Sequence, residues 1–317
     1  MSREHGKRSL LEVLLHLGRV SNLPTVWSNL LAASVLAGLN PNEMPALAPL
    51  LAMSAFYVGG MYLNDAFDRE IDARERPTRP IPSGQISAAM VIGIGGALML
   101  GGLVLILPYG SKAVLSACAL VAAIVLYDIW HKGNPFSPVM MGLCRALVYL
   151  TAAATASPAA AASNGWCWPV LLGAAAVMAH VIGLTYAAKQ ESLDRIGRLW
   201  PLVILALPLV LFGLPALRRL PDVLQALTQL PAQSLYARIL TGLILPALIA
   251  VDVLAVRLLA ARRERGDVPK AVAQLIAAIS LLDGVAILVQ GGPVWAVAAC
   301  IAAYCLTRLF QRVIPGT

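Results

Sequence analysis

Acidic and amide side chains recur at a regular interval within residues 62–84, which read YLNDAFDREIDARERPTRPIPSG. Asn64, Asp68 and Asp72 are each four residues apart, and that spacing places them on one face of an α-helix. Asp65 lies beside Asn64 near the same face. Oxygen ligands without His or Cys suit Mg²⁺, which takes one or two carboxylates together with substrate phosphates. The spacing therefore predicts a magnesium site that handles a phosphorylated substrate.

The same stretch also suits a solvated, charge-rich helix end, in which Asp68 and Asp72 merely neutralise the arginines around them. Three features favour a functional site. The oxygen-bearing side chains are in register, they follow an apolar segment, and a Pro-rich turn carrying Arg79 comes next. Because proline fixes its backbone angle, that turn is rigid and holds Arg79 in place.

The composite NDxxDxxxD followed by RPxRPIPSG resembles the first signature of the UbiA superfamily of intramembrane prenyltransferases. The resemblance implies Mg²⁺ bound through Asn64, Asp68 and Asp72, with Asp65 in support. The metal would bridge the diphosphate of an allylic isoprenoid, and Asp65, Asp68 and Asp72 would take part in catalysis. The allylic cation left after diphosphate departs needs a dry, apolar chamber, which a helix bundle supplies.

The family carries a second acidic motif after its sixth membrane span. In this chain the corresponding stretch, YAAKQESLDRIGRLWP, keeps only Glu191 and Asp194 as acids. The resemblance makes both candidate metal ligands and Asp194 a candidate catalytic residue. Lys189 stands where it can pair with the diphosphate. The departure from the motif weakens the case for a second Mg²⁺, and a plain cytoplasmic cap of paired charges remains the other interpretation.

The segment YDIWHKGN, residues 127–134, resembles the Tyr-x-x-x-Lys loop with which the family binds diphosphate, although the lysine comes one position later. Lys132 is the expected phosphate contact and Tyr127 a hydrogen-bond donor, with Asp128 positioning Lys132. His131 is expected to orient the loop or to be exposed. The string HKxNPxSPxxMGxCRAxxYL, which begins at His131, is similar to the EboC-like branch of the superfamily.

Two further polar residues interrupt apolar segments. Arg145 lies within MMGLCRALVY. A charge inside a membrane costs at least about 2.5 kcal/mol on insertion scales, so we expect it to face a substrate cavity or a carboxylate. Asn22 matches the Asn that lines the family's cavity near the start of its first helix. Both are candidate substrate-binding residues.

Composition predicts a membrane protein. The 317 residues are 59% hydrophobic and 13% charged, about half the charged share of soluble domains. An α-helix needs about 20 apolar residues to cross a bilayer, and ten segments approach that length. The expected fold is an all-α transmembrane bundle of nine or ten spans, forming one domain over 1–317. The ten segments are 22–40, 46–64, 86–107, 111–131, 136–156, 168–189, 198–217, 238–260, 269–289 and 292–312.

The net charge of +8 is explained by orientation. With the N-terminus in the cytoplasm, 19 Lys and Arg fall on the cytoplasmic side and four on the other, as the positive-inside rule requires. Nucleic acid is therefore not an expected partner, whereas membrane lipids are. We expect the inner (plasma) membrane of a bacterium, with the acidic site on the cytoplasmic side. The oligomeric state is not indicated.

The leading hypothesis is Mg²⁺-dependent transfer of an isoprenyl group from its diphosphate to a lipophilic or aromatic acceptor. Two others stay open. In one, the same pocket transfers a phosphoribosyl group to a polyprenyl phosphate; in the other, the chain is a lipid-binding or transport-associated protein that has lost catalysis. The depleted second acidic motif supports the last of these.

Overall fold

The computed structural model describes residues 9–156, 166–189, 199–215, 217–218, 235–261 and 266–316. Within these ranges all regular structure is helical, as the composition predicts. The twelve α-helices are α1 (Leu10–Leu17), α2 (Leu23–Leu36), α3 (Leu47–Phe67), α4 (Arg69–Glu75), α5 (Ala88–Ile106), α6 (Ser111–Trp130), α7 (Ser137–Thr155), α8 (Trp168–Ala188), α9 (Trp200–Pro208), α10 (Leu235–Ala261), α11 (Asp267–Val289) and α12 (Val294–Phe310).

Seven of these helices, namely α3, α5, α6, α7, α8, α10 and α11, are long and apolar enough to cross a membrane. α12 and the continuous stretch Trp200–Gly213 are apolar but shorter. α2 has 14 residues, about 21 Å at 1.5 Å per residue, which is less than the thickness of a hydrocarbon core. The fold class is thus as expected, while nine or ten spans remains a prediction.

Large apolar side chains point outward along the long helices. Leu100, Val104 and Leu115 are each more than 60% exposed on α5 and α6. Monomeric soluble proteins rarely show apolar patches of that extent. Lipid tails are the surroundings that this outer surface suits.

The helix α11 lies at the centre of the bundle and contacts α2, α8, α10 and α12. Of its most apolar 18-residue window, 78% is buried. A helix that is apolar on every side is the kind that occupies a core. Three polar residues are buried on this helix, namely Asp267 at its start, Ser280 and Asp283, and the last two face α2.

The helix α3, which carries the first acidic motif, packs on α5 through small residues. On α3, a Cβ added to Gly59 would lie 3.0 Å from the carbonyl oxygen of Gly95 on α5. Small residues let helix backbones approach closely where no hydrophobic effect drives association. This contact holds α3, whose last turns bear Asn64 and Asp65, firmly against α5.

The amphipathic helix α1 packs across α3. Its N-terminus is closed by a capping box between Ser9 and Glu12, and Val13 and Leu17 are buried against Tyr62 of α3. The apolar face of this helix contacts protein. The packing delivers the residue that follows α1, Arg19, to the end of α3.

Candidate active site

The four acidic and amide residues of the first motif lie together where α3 ends. Asp68 joins α3 to α4, and its backbone N–H bonds the carbonyl of Asn64 at 3.0 Å while that of Asp72 bonds Asp68 at 2.9 Å. The four-residue register therefore continues through the break. Asn64, Asp65, Asp68 and Asp72 are 7, 7, 5 and 3% exposed. A solvated helix end would show them in water, and they are not.

Two arginines neutralise Asp65 and Asp72. Arg79 places one guanidinium nitrogen 2.6 Å from Asp72 and 3.4 Å from Asp65. Arg19 approaches the same oxygen of Asp65 at 3.5 Å. The turn that follows α4 orients Arg79, because its own N–H bonds the carbonyl of Arg76 at 3.0 Å. Cations thus lie among the acids, as their mutual repulsion demands.

Asp68 is paired with the loop after α6. His131 Nε2 and Lys132 Nζ each lie 3.3 Å from one of its oxygens. Burial alone would raise the pKa of Asp68, but the hydrogen bond and charge of His131, with Lys132, lower it below its usual value. Burial likewise opposes protonation of His131, yet Asp68 outweighs it and raises the pKa of the imidazole above 6.5. His131 is therefore a partner of the motif and not an exposed residue.

Asp128 contacts α3. Asn64 Nδ2 donates to its Oδ1 at 3.2 Å, and its Oδ2 is buried without a hydrogen-bond partner in the structure. Asp128 was expected to position Lys132, but Lys132 extends to Asp68 instead. The side chains of successive residues on a helix point in different directions, so Asp128 points inward. Lys132, beyond the helix end, reaches the rim of the site, which Asp68, Asp72, Arg79 and Lys132 form.

An apolar cavity of about 170 Å³ opens beneath these acids. Asp128, Arg19 and Tyr127 border it near the acidic motif, and Arg145 borders it deeper in the bundle. Tyr127 is stacked on His131, with ring centroids 4.9 Å apart. Apolar side chains of α2, α3, α6, α7, α8 and α11 form the rest of the wall, among them Val26, Phe56, Leu120, Ile124, Val148, Leu184 and Ile279.

The oxygen donors fit a hard cation. Asn64, Asp68 and Asp72 offer only oxygen ligands, and the buried Oδ2 of Asp128 lacks a partner. In the part of the chain that the structure describes, no three His, Cys, Asp or Glu side chains form a ready metal cluster. Mg²⁺ does not require one, because it keeps several waters and completes its shell with substrate phosphates.

Two predicted substrate-binding residues make hydrogen bonds within the protein. Lys189 donates to the carbonyl of Asn134 at 2.9 Å and to Ser137 Oγ at 2.6 Å, so it ties α8 to the start of α7. Burial lowers its pKa. Asn22 borders the cavity, but its amide donates to the carbonyl of Gly316 at 2.9 Å.

Glu191 and Asp194 lie outside the described residues. Their assignment as metal ligands, and that of Asp194 as a catalytic residue, stays a prediction.

Arg19 is a site residue that sequence patterns do not reveal. It has the conformation φ 42°, ψ 45°, the one positive φ at a non-glycine residue in the part of the chain that the structure covers. Such a conformation is uncommon and tends to persist at functional sites. In the sequence Arg19 contributes only to the count of cytoplasmic charges. Its contact with Asp65 spans 46 positions.

Comparison with known proteins identifies the family of the chain. The model of the UbiA prenyltransferase family matches residues 22–316. The chain belongs to the UbiA prenyltransferase family. The matched region contains every residue of the acidic site and the whole of the cavity wall except Arg19.

Several members of the family are similar over part of their length. A digeranylgeranylglyceryl phosphate synthase of Methanopyrus kandleri is 30% identical over 39% of this chain and 46% of its own. A 4-hydroxybenzoate octaprenyltransferase of Photobacterium profundum is 35% identical over 38% of this chain and 41% of its own. A chloroplastic chlorophyll synthase of Avena sativa is 37% identical over 40% of this chain and 27% of its own. The chain thus spans less than half the length of these relatives.

Solved structures share the fold. One, from a study of the biosynthesis of digeranylgeranylglyceryl phosphate synthase in membranes, superposes with a TM-score of 0.57 at 19% identity and covers 87% of this chain and 97% of its own. An apo UbiA homologue from Aeropyrum pernix K1 superposes with a TM-score of 0.54 at 20% identity and covers 86% of this chain and 98% of its own. The helix arrangement is therefore that of the UbiA family along most of the chain.

Proposed function

We propose that the chain transfers an isoprenyl group from an allylic diphosphate to a lipophilic or aromatic acceptor in an Mg²⁺-dependent reaction. The observation that carries this proposal is the pairing of buried acids with Arg79, Lys132 and Arg19 at the mouth of an apolar cavity. Relatives named for prenyl transfer or for synthesis of a digeranylgeranyl lipid support it.

Asn64, Asp68 and Asp72 are the residues that would hold Mg²⁺, with Asp65 and Asp128 beside them. When bound, the ion supplies positive charge to the departing diphosphate. Arg79 and Lys132 supply more charge at the same rim, where each now neutralises an acid. A diphosphate entering with its metal would exchange these acid–cation pairs for metal–acid and cation–phosphate pairs, so no charge is left unpaired.

Transfer begins when the allylic C–O bond breaks and its electron pair leaves with the diphosphate. The allylic cation lies in the cavity, where Phe56, Leu120 and Ile124 exclude water that would otherwise capture it. The nucleophilic atom of the acceptor bonds to that carbon, and its proton passes to the departing diphosphate, which carries it out of the cavity. The acids and cations of the rim thus act on the leaving group, and the apolar wall protects the cation.

The direct test uses purified full chain in detergent with farnesyl diphosphate and Mg²⁺, and measures diphosphate release together with prenylated product. We expect Asp68→Ala and Asp72→Ala to abolish release, because each removes an oxygen ligand. Glu75→Ala is the matched control, since Glu75 is an exposed acid of the same helix as Asp72. Unchanged release in both aspartate variants would refute the proposal.

A second candidate function follows from the acidic motif after α8, which keeps only Glu191 and Asp194. A chain that had lost catalysis would bind isoprenyl diphosphate with Mg²⁺ and release no diphosphate. Binding without turnover, measured on the same preparation, would support a lipid-binding or transport-associated role. Product analysis with labelled phosphoribosyl diphosphate and a polyprenyl phosphate would reveal phosphoribosyl transfer instead.

We also propose that the protein lies in the inner membrane of a bacterium with the acidic site facing the cytoplasm. The support is the excess of Lys and Arg on that side of the bundle. A cysteine placed at Ser83, beside the site, should resist an impermeant thiol reagent in intact cells and react after lysis. A cysteine at Ser111, at the opposite end of α6, should react in intact spheroplasts. The reverse pattern would overturn the orientation.

A further inference from the structure

Arg145 places a guanidinium deep inside the bundle. It is eight residues beyond Ser137, the first residue of α7, hence about 12 Å along the helix from its cytoplasmic end. Although it lies at membrane depth, its side chain retains partial exposure because it borders the apolar cavity. A cation at this depth is costly and is kept where it has a partner or a task.

The direct partners of Arg145 are uncharged. One guanidinium nitrogen donates to Asn29 Oδ1 at 2.8 Å and another to Thr25 Oγ1 at 3.0 Å. The guanidinium carbon lies 5.9 Å from the ring centre of Tyr57. Among the residues that the structure describes, the ion pairs are made by other cations. The charge of Arg145 is therefore positioned by neutral groups and is not cancelled by contact with an acid.

The nearest acid in this network is Asp283, which is connected to Arg145 through the side chain of Asn29. Asp283 accepts hydrogen bonds from Asn29 at 2.8 Å, from Ser28 at 2.6 Å and from Tyr149. It is fully buried and lies off the cavity wall. Asn29 thus bridges the two charges, with its amide nitrogen toward Asp283 and its oxygen toward Arg145. The bridge fixes Arg145 in place and leaves the guanidinium turned to the cavity.

We propose that Arg145 binds an anionic group, a carboxylate or a phosphate, of the acceptor substrate. The inference rests on the proposed function, because it assigns a ligand to the same cavity. Guanidinium groups bind both anions through paired, charge-assisted hydrogen bonds. In an apolar cavity such an anion gives Arg145 the opposite charge that the protein does not supply by direct contact.

The geometry also provides separate positions for two anions, the diphosphate of the donor and the anionic group of the acceptor. Tyr57, beside Arg145, lies seven residues before Asn64 on α3, about 10 Å along the helix axis. The diphosphate is drawn to Arg79 and Lys132 at the rim, while the acceptor anion is drawn to Arg145 below. An acceptor anchored in this way would extend its other end toward the rim, where the allylic carbon is released.

The test measures binding to the purified full chain by isothermal titration calorimetry with two matched pairs of ligands. One pair is 4-hydroxybenzoate and 4-hydroxybenzamide, and the other is oleoyl lysophosphatidate and monooleoylglycerol. The first pair reports a carboxylate and the second a phosphate. Because hydrogen bonds to charged groups contribute about 1.5–3 kcal/mol, we expect the anionic member of at least one pair to bind about tenfold or more tightly than its neutral partner.

Arg145→Gln should abolish this preference, and Arg145→Lys should retain part of it because the charge remains. Arg74→Gln is the control, since it removes the same charge from an exposed position on α4. If the wild-type protein prefers neither anion, or if the preference persists in Arg145→Gln, the inference is wrong. If Arg145→Gln does not fold, the absence of an anion preference in the wild-type protein still refutes the inference, and a reduced preference in Arg145→Lys still supports it.

Failure of the proposed function would be seen separately. Mg²⁺-dependent binding and turnover of farnesyl diphosphate are measured on the same preparations and depend on the rim. If the protein does not turn over farnesyl diphosphate but shows an anion preference that is lost in Arg145→Gln, the anion site is supported and the transferase proposal is refuted. If farnesyl diphosphate is turned over and no anion preference is found, the transferase proposal is supported and the anion site is refuted.

Discussion

Asn64 on α3 donates a hydrogen bond to Asp128 on α6 across 3.2 Å. Both side chains are buried, and the second oxygen of Asp128 has no partner in the structure. A buried acceptor left without a hydrogen bond costs about 1–3 kcal/mol. The bond therefore joins the predicted metal-binding face to an oxygen that is available to a ligand.

This pairing predicts that Asp128→Asn weakens Mg²⁺ binding. The amide keeps the size of the side chain but removes the negative charge beside Asn64, and groups that support metal ligands typically affect affinity 10–100-fold. We expect the Mg²⁺ concentration for half-maximal turnover of farnesyl diphosphate to rise about tenfold or more. The control is Glu75→Gln on α4, which is exposed. An unaltered Mg²⁺ requirement in Asp128→Asn would exclude Asp128 from the site.

A second prediction concerns Arg79, whose guanidinium approaches Asp72 and Asp65 together. Arg79→Lys keeps the charge but loses the planar group that reaches both acids. Turnover should fall by about 10²-fold, the loss typical of removing one preorganised donor. Arg74→Lys, exposed on α4, should retain activity. Equal turnover in the two variants would contradict a role for the Arg79 guanidinium.

Lys132 is a more accessible cation of the rim, 44% exposed at its side chain and 3.3 Å from Asp68. Lys132→Met should raise the KM for farnesyl diphosphate about tenfold, because a hydrogen bond to a charged group is worth about 1.5–3 kcal/mol. The fold should survive, since His131 still lies 3.3 Å from Asp68 and keeps the buried carboxylate paired. Lys112→Met, at the opposite end of α6, is the matched control. A KM equal to that of the control would mean that Lys132 serves Asp68 alone.

The sequence predicted the parts of the site that depend on local geometry. The spacing of Asn64, Asp68 and Asp72 required only helical periodicity, and the register persisted through the break at Asp68 because two backbone hydrogen bonds keep it. Composition was sufficient for the helical membrane fold. Local patterns therefore carried both the fold class and the first motif.

Sequence patterns did not predict the contacts between segments that are distant along the chain. Asp128 was assigned to Lys132, its neighbour along the chain, whereas its bond runs to Asn64 on another helix. Arg19 belongs to the site only because α1 packs on α3. Asn22 is bonded to a residue 294 positions away. Such pairings follow from how helices pack, and hydropathy does not specify that.

The packing of α3 on α5 gives a last prediction, on stability. A Cβ added at Gly95 would lie 3.1 Å from Leu63 Cγ and 3.2 Å from the carbonyl oxygen of Gly59. Overpacking of this kind costs about 1–3 kcal/mol, so Gly95→Ala should lower the thermal midpoint in detergent. Gly96, next along α5, has nothing within 4 Å of such an atom. Gly96→Ala should leave stability unchanged or raise it by up to about 1 kcal/mol, because alanine is the better helix former.

Gly95→Ala should also raise the Mg²⁺ requirement, because its added carbon presses on Leu63, the neighbour of Asn64. Displacing α3 by a few tenths of an ångström moves the first oxygen ligand relative to Asp128. Loss of stability with an unchanged Mg²⁺ requirement would show that the rim adjusts independently of the α3–α5 contact. Equal melting of Gly95→Ala and Gly96→Ala would show instead that the two helices are free to separate.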